Sequence, residues 1–143
     1  MSFNITEIQG DLFSCNTECL AHCVSADFVM GQGIALLFKN KFGHVADLLE
    51  QKCQVGQVAV LHIAENTHVF YLVTKQKFYN KPTYETLNLC LCNLKKELVT
   101  RNITKISIPR IGCGLDKLSW NHVKKLLENE FKNTNISISV YYL

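Results

Sequence analysis

The sequence predicts a three-layer α/β/α domain built on a mixed, largely parallel central sheet. Three observations lead there. Apolar runs of the kind found in strands covered on both faces alternate with stretches of helical period. Glycine loops follow strands and precede helices, as sheet-to-helix connections require. At 143 residues, 48% of them apolar and 19% charged, the chain suits one domain that buries about two-thirds of its unfolded surface.

Each element has its own signal. Residues 4–8 read as a short strand ended by Gly10-Asp11, and residues 19–24 as a second that is almost wholly apolar. Met30-Gly31-Gln32-Gly33 forms a glycine loop before a helix opened by Ile34-Ala35-Leu36-Leu37-Phe38, with Gly43 as its stop. A second helical piece covers residues 45–53. Strands at 58–63 and 69–74 flank a turn at Glu65-Asn66. Pro82-Thr83 starts the longest helix, whose Tyr84, Leu87, Leu91, Leu94 and Leu98 make one apolar stripe. Ile106-Ser107-Ile108 is a buried strand that halts at Pro109. Ser119 is the candidate N-cap of the last helix, marked by Trp120, Val123, Leu126, Leu127 and Phe131. Residues 136–142 form the closing strand.

Composition narrows the function. The net charge of +3 comes from scattered lysines, with no arginine-rich run for nucleic acid. Met1-Ser2-Phe3-Asn4 lacks the regions of a signal peptide, and no run reaches membrane-spanning length. The expected location is the nucleus and cytoplasm, with no membrane partner. Seven cysteines, an odd number, are then reduced thiols used as small apolar residues, and the sequons at Asn4, Asn102 and Asn135 carry no sugar. Cys15, Cys19, His22 and Cys23 invite a zinc reading. On a strand, however, His22 and Cys23 point to opposite faces, so packing is preferred and no metal or cofactor is expected.

In a parallel sheet, ligands bind beyond the carboxyl ends of the strands. Three loops compete for that crevice: Gly10-Asp11-Leu12, the segment from Met30 through Gly31 and Gly33 to Ile34, and Arg110-Ile111-Gly112-Cys113-Gly114-Leu115-Asp116. In the last, glycines between a strand and a helix present backbone N–H groups to an anion such as phosphate. Asp116 would place an acid–base group beside that anion. Asp11 is positioned either to accept a hydrogen bond from an adenine amino group or to act as a turn residue or cap. Neither standard nucleotide fingerprint fits, because Leu36 occupies the place of the third glycine and no Gly-Lys-Ser/Thr occurs. A hydride-transfer enzyme is thereby disfavoured. Cys113 resembles an exposed nucleophile, but a small residue that lets backbone approach closely is the preferred reading. His22 is expected to be a hydrogen-bonded strand histidine and Trp120 a core residue. The pairs Lys95-Lys96 and Lys124-Lys125 are expected on solvated helix faces.

Six motifs in order carry a resemblance. Ile8-Gln9-Gly10-Asp11-Leu12-Phe13, Leu20-Ala21-His22-Cys23-Val24-Ser25, Met30-Gly31-Gln32-Gly33-Ile34-Ala35, Tyr71-Leu72-Val73-Thr74-Lys75, Lys81-Pro82-Thr83-Tyr84-Glu85 and Pro109-Arg110-Ile111-Gly112-Cys113-Gly114-Leu115-Asp116 span nearly the whole chain. Together with the ending Val140-Tyr141-Tyr142-Leu143, they make it resemble a macro domain. The closer likeness is to the terminal ADP-ribose protein glycohydrolase branch. The segment Lys75-Gln76-Lys77-Phe78-Tyr79-Asn80 is more aromatic than that likeness leads one to expect.

The resemblance implies a single macro domain over residues 1–143, expected as a monomer. It implies binding of ADP-ribose and removal of ADP-ribose from modified glutamate in proteins, with O-acetyl-ADP-ribose as a second ester substrate. It makes Lys75 the catalytic lysine and Asp116 the acid–base aspartate. Asp11, Leu12, Ser25, Gly31, Gly33, Ile34, Thr74, the loop from Arg110 to Leu115, and Leu143 become substrate-binding positions. In the implied reaction a lysine amine attacks the anomeric carbon of the distal ribose, so the nucleophile is the neutral amine. Burial would favour that form and an ionised Asp116 would oppose it. Asp116 is therefore expected to take the proton once substrate is bound. From the residues alone, Lys75 also reads as a solvated strand-end lysine and Asp116 as a loop cap. A non-catalytic ADP-ribose reader and an eraser of ADP-ribosylated DNA bases are the competing functions.

Overall fold

The computed structural model describes residues 3–15 and 19–143; Met1 and Ser2, part of the stretch read for a leader, lie outside the described residues. The strands are β1 (Asn4–Gln9), β2 (Cys19–Ser25), β3 (Val58–Ala64), β4 (Thr67–Lys75), β5 (Lys105–Pro109) and β6 (Ser137–Tyr142). The helices are α1 (Gly33–Phe42), α2 (Val45–Glu50), α3 (Tyr84–Thr100) and α4 (Trp120–Phe131), with a 3-10 turn at Leu12–Ser14. They form one six-stranded sheet in the order β1-β6-β5-β2-β4-β3. β3 runs antiparallel to β4 through a tight hairpin, and every other pairing is parallel. The expected mixed, largely parallel sheet is what the chain forms.

Alternation along the central strands explains the layering. Ala21 of β2, with Phe70 and Leu72 of β4, faces one core. Leu20 and Val24 of β2, with Val69, Tyr71 and Val73 of β4, face the other. Successive strand residues point to opposite faces, so a strand covered on both sides must be apolar throughout. The first core is closed by Leu87, Leu91, Leu94 and Leu98 of α3 and by Val123, Leu127 and Phe131 of α4. Phe38 of α1 and Leu48 of α2 close the second. The predicted α3 stripe is buried at its four leucines, joined by Cys90. Tyr84 stands partly out, its hydroxyl accepting the Ser119 N–H at 2.8 Å.

Helix ends follow local chemistry, with some corrections. Thr83 caps α3 through a reciprocal pair with Thr86, each hydroxyl accepting the other's backbone N–H at 3.1 Å. Gly43 stops α1 at φ 65°. α2 ends at Glu50, not near Cys53, because Lys52 turns left-handed at φ 53°. Ser119 holds the N-cap position of α4, but its hydroxyl makes no capping bond. Trp120 is no plain core residue. Its Nε1–H donates to Glu7 Oε1 at 3.0 Å.

The lysine pairs are also corrected: Lys95 bonds Glu130 at 3.0 Å and Lys124 bonds Glu7 at 2.9 Å, so one lysine of each pair ties elements together. His22 is fully buried without a hydrogen-bond partner among the described residues. Its ring stacks on Phe38 at 3.7 Å instead. Cys23, Cys53, Cys90, Cys92 and Cys113 are free thiols. Among the described residues no group of three or more His, Cys, Asp or Glu side chains could hold a metal, and no helix is long and apolar enough to cross a membrane.

Candidate active site

Parallel pairing brings the ends of β1, β2, β4, β5 and β6 to one edge of the sheet, and the candidate residues gather there. β2 and β4 run in register until a bulge between Val24 and Ser25 sets Ser25 opposite Lys75. The Ala26 N–H then donates to the Lys75 carbonyl at 2.9 Å. Lys75 is thus the last residue of a strand whose preceding residues are buried, and it emerges where β5 sends out its glycine loop. Its Nζ donates to Asp116 Oδ1 at 2.7 Å, with the two side chains 14% and 18% exposed. Charge-assisted contacts of this kind are short and directional. Thr74, one residue back, is buried, and its hydroxyl bonds the Val24 carbonyl at 3.5 Å.

The loop that presents Asp116 is shaped by its glycines. Gly112 has φ +73°, and a Cβ there would lie 2.9 Å from Leu118 Cδ1. A larger residue would meet both strained backbone and a steric clash. The Leu118 N–H closes the turn on the Gly112 carbonyl at 2.7 Å, while Ile111 is buried and Gly114 opens to free space. The Lys81 Nζ donates to the Leu115 carbonyl at 2.8 Å. Opposite stands the other glycine loop: Gly33 has φ +60°, with the place of its Cβ 3.4 Å from Leu115 Cδ1. The two glycine loops therefore face each other.

Asp27 organises the second loop. One carboxylate oxygen accepts the Ser25 hydroxyl at 2.5 Å and the Val29 N–H at 3.3 Å, and the other accepts the Phe78 N–H at 3.0 Å. Burial works against its charge, yet the Ser25 hydroxyl and the two amides hold its carboxyl below the ordinary value. Phe28 and Met30 plug the second core from left-handed backbone, at φ 50° and 49°. Strain at non-glycine residues of this kind costs about 1–3 kcal/mol each and collects at functional sites. Gly31 lies between strained Met30 and the start of α1, and Ile34 packs under it on the second core.

The remaining candidates lie along the same edge. Asp11 is exposed and caps the 3-10 turn, its Oδ1 accepting the Phe13 N–H at 3.0 Å; Leu12 beneath it is buried. The Gly10 N–H donates to the Tyr142 carbonyl at 2.8 Å, tying this turn to the end of β6, where Leu143 is 96% exposed. The Arg110 guanidinium sits 4.2 Å from the Tyr142 ring centroid and bonds Glu7 at 3.3 Å, which engages it at the β1–β6 margin. Cys113 is no activated nucleophile. Burial pushes its thiol up to about 11 against the opposing charge of Arg110, and its Sγ–H bonds the Ile111 carbonyl at 3.2 Å.

Sequence reasoning passed over Asp27, Lys81 and Lys39, whose Nζ donates to the Val29 carbonyl at 3.3 Å. Ser25-x-Asp27 at a strand end is a signal for a side chain that folds back on nearby backbone. The two lysines have no comparable signal, since their acceptors are carbonyls far away or on the opposite loop.

An α/β/α layer with paired glycine loops over parallel strand ends, and a lysine–aspartate contact between them, defines a recognisable class. Residues 21–127 match the family model of the Macro domain, and the chain belongs to the macro domain family. It is 48% identical over 140 residues to a human protein called ADP-ribose glycohydrolase OARD1, covering 97% of this chain and 91% of that one. It is 27% identical to the DNA ADP-ribosyl glycohydrolase of Mycobacterium tuberculosis, covering 90% of this chain but 39% of the relative. In fold it is similar to the solved macrodomain of Thermus aquaticus DarG, with a TM-score of 0.89, 23% identity and 99% of each chain covered.

Proposed function

We propose that the chain is an ADP-ribosyl hydrolase that releases ADP-ribose from modified glutamate side chains. The observation that carries the reading is the 2.7 Å contact between Lys75 Nζ and Asp116 Oδ1 at the meeting of β4 and the β5 glycine loop. The diphosphate lies against the facing Gly31–Gly33 and Gly112–Gly114 backbones, whose amides suit an anion. Adenine lies at the Asp11 and Leu12 end. The distal ribose then reaches Lys75 and Asp116.

The reaction follows from that placement. Asp116 takes a proton from Nζ as the sugar arrives, and the freed amine adds to the anomeric carbon. The bond from that carbon to the glutamate oxygen breaks, and the carboxylate leaves with its electron pair. Water then hydrolyses the lysine adduct, returning the amine and releasing ADP-ribose. General acid–base transfer of this kind contributes about a hundredfold or more in rate. The high identity to a protein named an ADP-ribose glycohydrolase supports the hydrolase reading over a pure reader. O-acetyl-ADP-ribose, which carries an ester on the same sugar, is a second substrate.

The relative named a DNA ADP-ribosyl glycohydrolase favours one alternative, removal of ADP-ribose from DNA bases. The test compares product release from a glutamate-modified transferase with release from an ADP-ribosylated oligonucleotide. Turnover of the protein ester is the expected result. Turnover of the oligonucleotide alone would move the reading to DNA, and tight ADP-ribose binding without any turnover would make the chain a reader.

A further inference from the structure

The segment between β4 and α3 forms an arch whose two feet stand on neighbouring residues. At one foot Lys75 Nζ bonds Asp116 Oδ1 at 2.7 Å. At the other, Lys81 Nζ bonds the Leu115 carbonyl at 2.8 Å. A turn stiffens the span, because Lys77 N–H donates to Asn80 Oδ1 and Asn80 N–H to the Lys77 carbonyl, both at 2.9 Å. Asp27 holds the middle by accepting the Phe78 N–H. On this braced crown Phe78 and Tyr79 meet edge to face at 5.3 Å, yet are 57% and 69% exposed. Two large rings set by a turn and a carboxylate brace, but left uncovered, suit a contact surface better than a fold contact.

We propose that Phe78 and Tyr79, with Lys77, form the subsite for the polypeptide that carries the ADP-ribose. The proposal rests on the hydrolase reading above and says which residues grip the leaving-group side. The occupant is an acidic segment around the modified glutamate, and charge is the reason. Lys77 is exposed on the crown, and the Asp27 carboxylate that feels its charge already accepts from Ser25, Val29 and Phe78, which leaves the ammonium as the charged group open to an incoming acidic chain. Leu115, 56% exposed, extends the apolar ground between the crown and the Gly33 loop. Because these contacts lie beyond the sugar, they hold ground state and transition state alike. Their loss raises KM and spares kcat.

The experiment uses a transferase modified on glutamate as substrate, the double variant Phe78→Ala/Tyr79→Ala, and separately Lys77→Glu. For each variant KM on the modified protein should rise about tenfold, with kcat within about twofold and ADP-ribose affinity by calorimetry unchanged. The Lys77→Glu effect should shrink as salt is added. An unchanged KM would overturn the proposal. So would a fall in kcat or in ADP-ribose affinity matching the loss in kcat/KM, because the arch would then merely support Lys75. A KM effect confined to an ADP-ribosylated oligonucleotide would overturn it in favour of nucleic acid. Inactivity of the unaltered protein on the modified transferase would remove the hydrolase reading, and the subsite with it.

Discussion

At the scale of single residues, the proposed chemistry rests on the 2.7 Å contact between Lys75 and Asp116. In the proposed reaction the carboxylate that makes the lysine's short contact also receives its proton when the sugar enters, so neither group replaces the other. Lys75→Ala removes the proposed nucleophile, and Asp116→Asn keeps the shape but not the proposed base. The Asn variant should retain ADP-ribose binding while its turnover falls about a hundredfold or more, measured as ADP-ribose released from modified protein. At the adenine end, Asp11→Ala should weaken ADP-ribose binding in calorimetry by about tenfold from a micromolar starting point, near 8 kcal/mol for the intact site. Of these residues, Lys75 and Asp116 were singled out through the resemblance of the strand and glycine loop that bear them, and the structure brings their side chains together at 2.7 Å. Asp27 was not. Its acceptor role joins Ser25, Val29 and Phe78, and the last of these comes within reach only once β2 and β4 have paired.

At the scale of elements, the loops matter because their backbone is the proposed binding surface. Gly112→Ala puts a Cβ 2.9 Å from Leu118 Cδ1 at a φ of +73°. It should lower stability by about 1–3 kcal/mol in urea unfolding and weaken ADP-ribose binding, because relief of the strain at that positive φ shifts the backbone amides, whereas Leu118 Cδ1 is the movable end of a side chain. The helices were the easiest elements to read, since α3 repeats its leucines from Leu87 to Leu98 over about three turns and begins at a reciprocal Thr83–Thr86 cap. What sequence could not show was how α4 begins. A serine before an apolar run signals a capping hydroxyl, but Ser119 instead gives its N–H to Tyr84, whose ring stacks on His122 at 3.8 Å. That bond is made across the α3–α4 interface, so no local window contains it.

At the scale of the whole molecule, two cores pinch one sheet, and the second core holds the imidazole of His22 unpaired against Phe38 and Tyr71. Burial alone pushes His22 down to about 3 from its ordinary 6.5. Its folded value lies below its unfolded one, so above pH 6.5 it costs nothing. Below that, the unfolded chain takes a proton that the folded chain refuses. Stability should therefore fall by about 1.4 kcal/mol per pH unit from near 6.5 towards 3 on this account. His22→Phe should flatten that slope in urea unfolding followed against pH, and an unchanged slope would assign the acid sensitivity elsewhere. The sheet order also assembles the candidate site, since parallel pairing of β1, β6, β5, β2 and β4 delivers every candidate loop to one edge. The most direct measurement of the central claim is release of ADP-ribose from a glutamate-modified protein by wild type, Lys75→Ala and Asp116→Ala, each first shown by calorimetry to bind ADP-ribose. Wild-type turnover with both variants binding but nearly inert is the predicted result. Wild-type rates in both variants would contradict it.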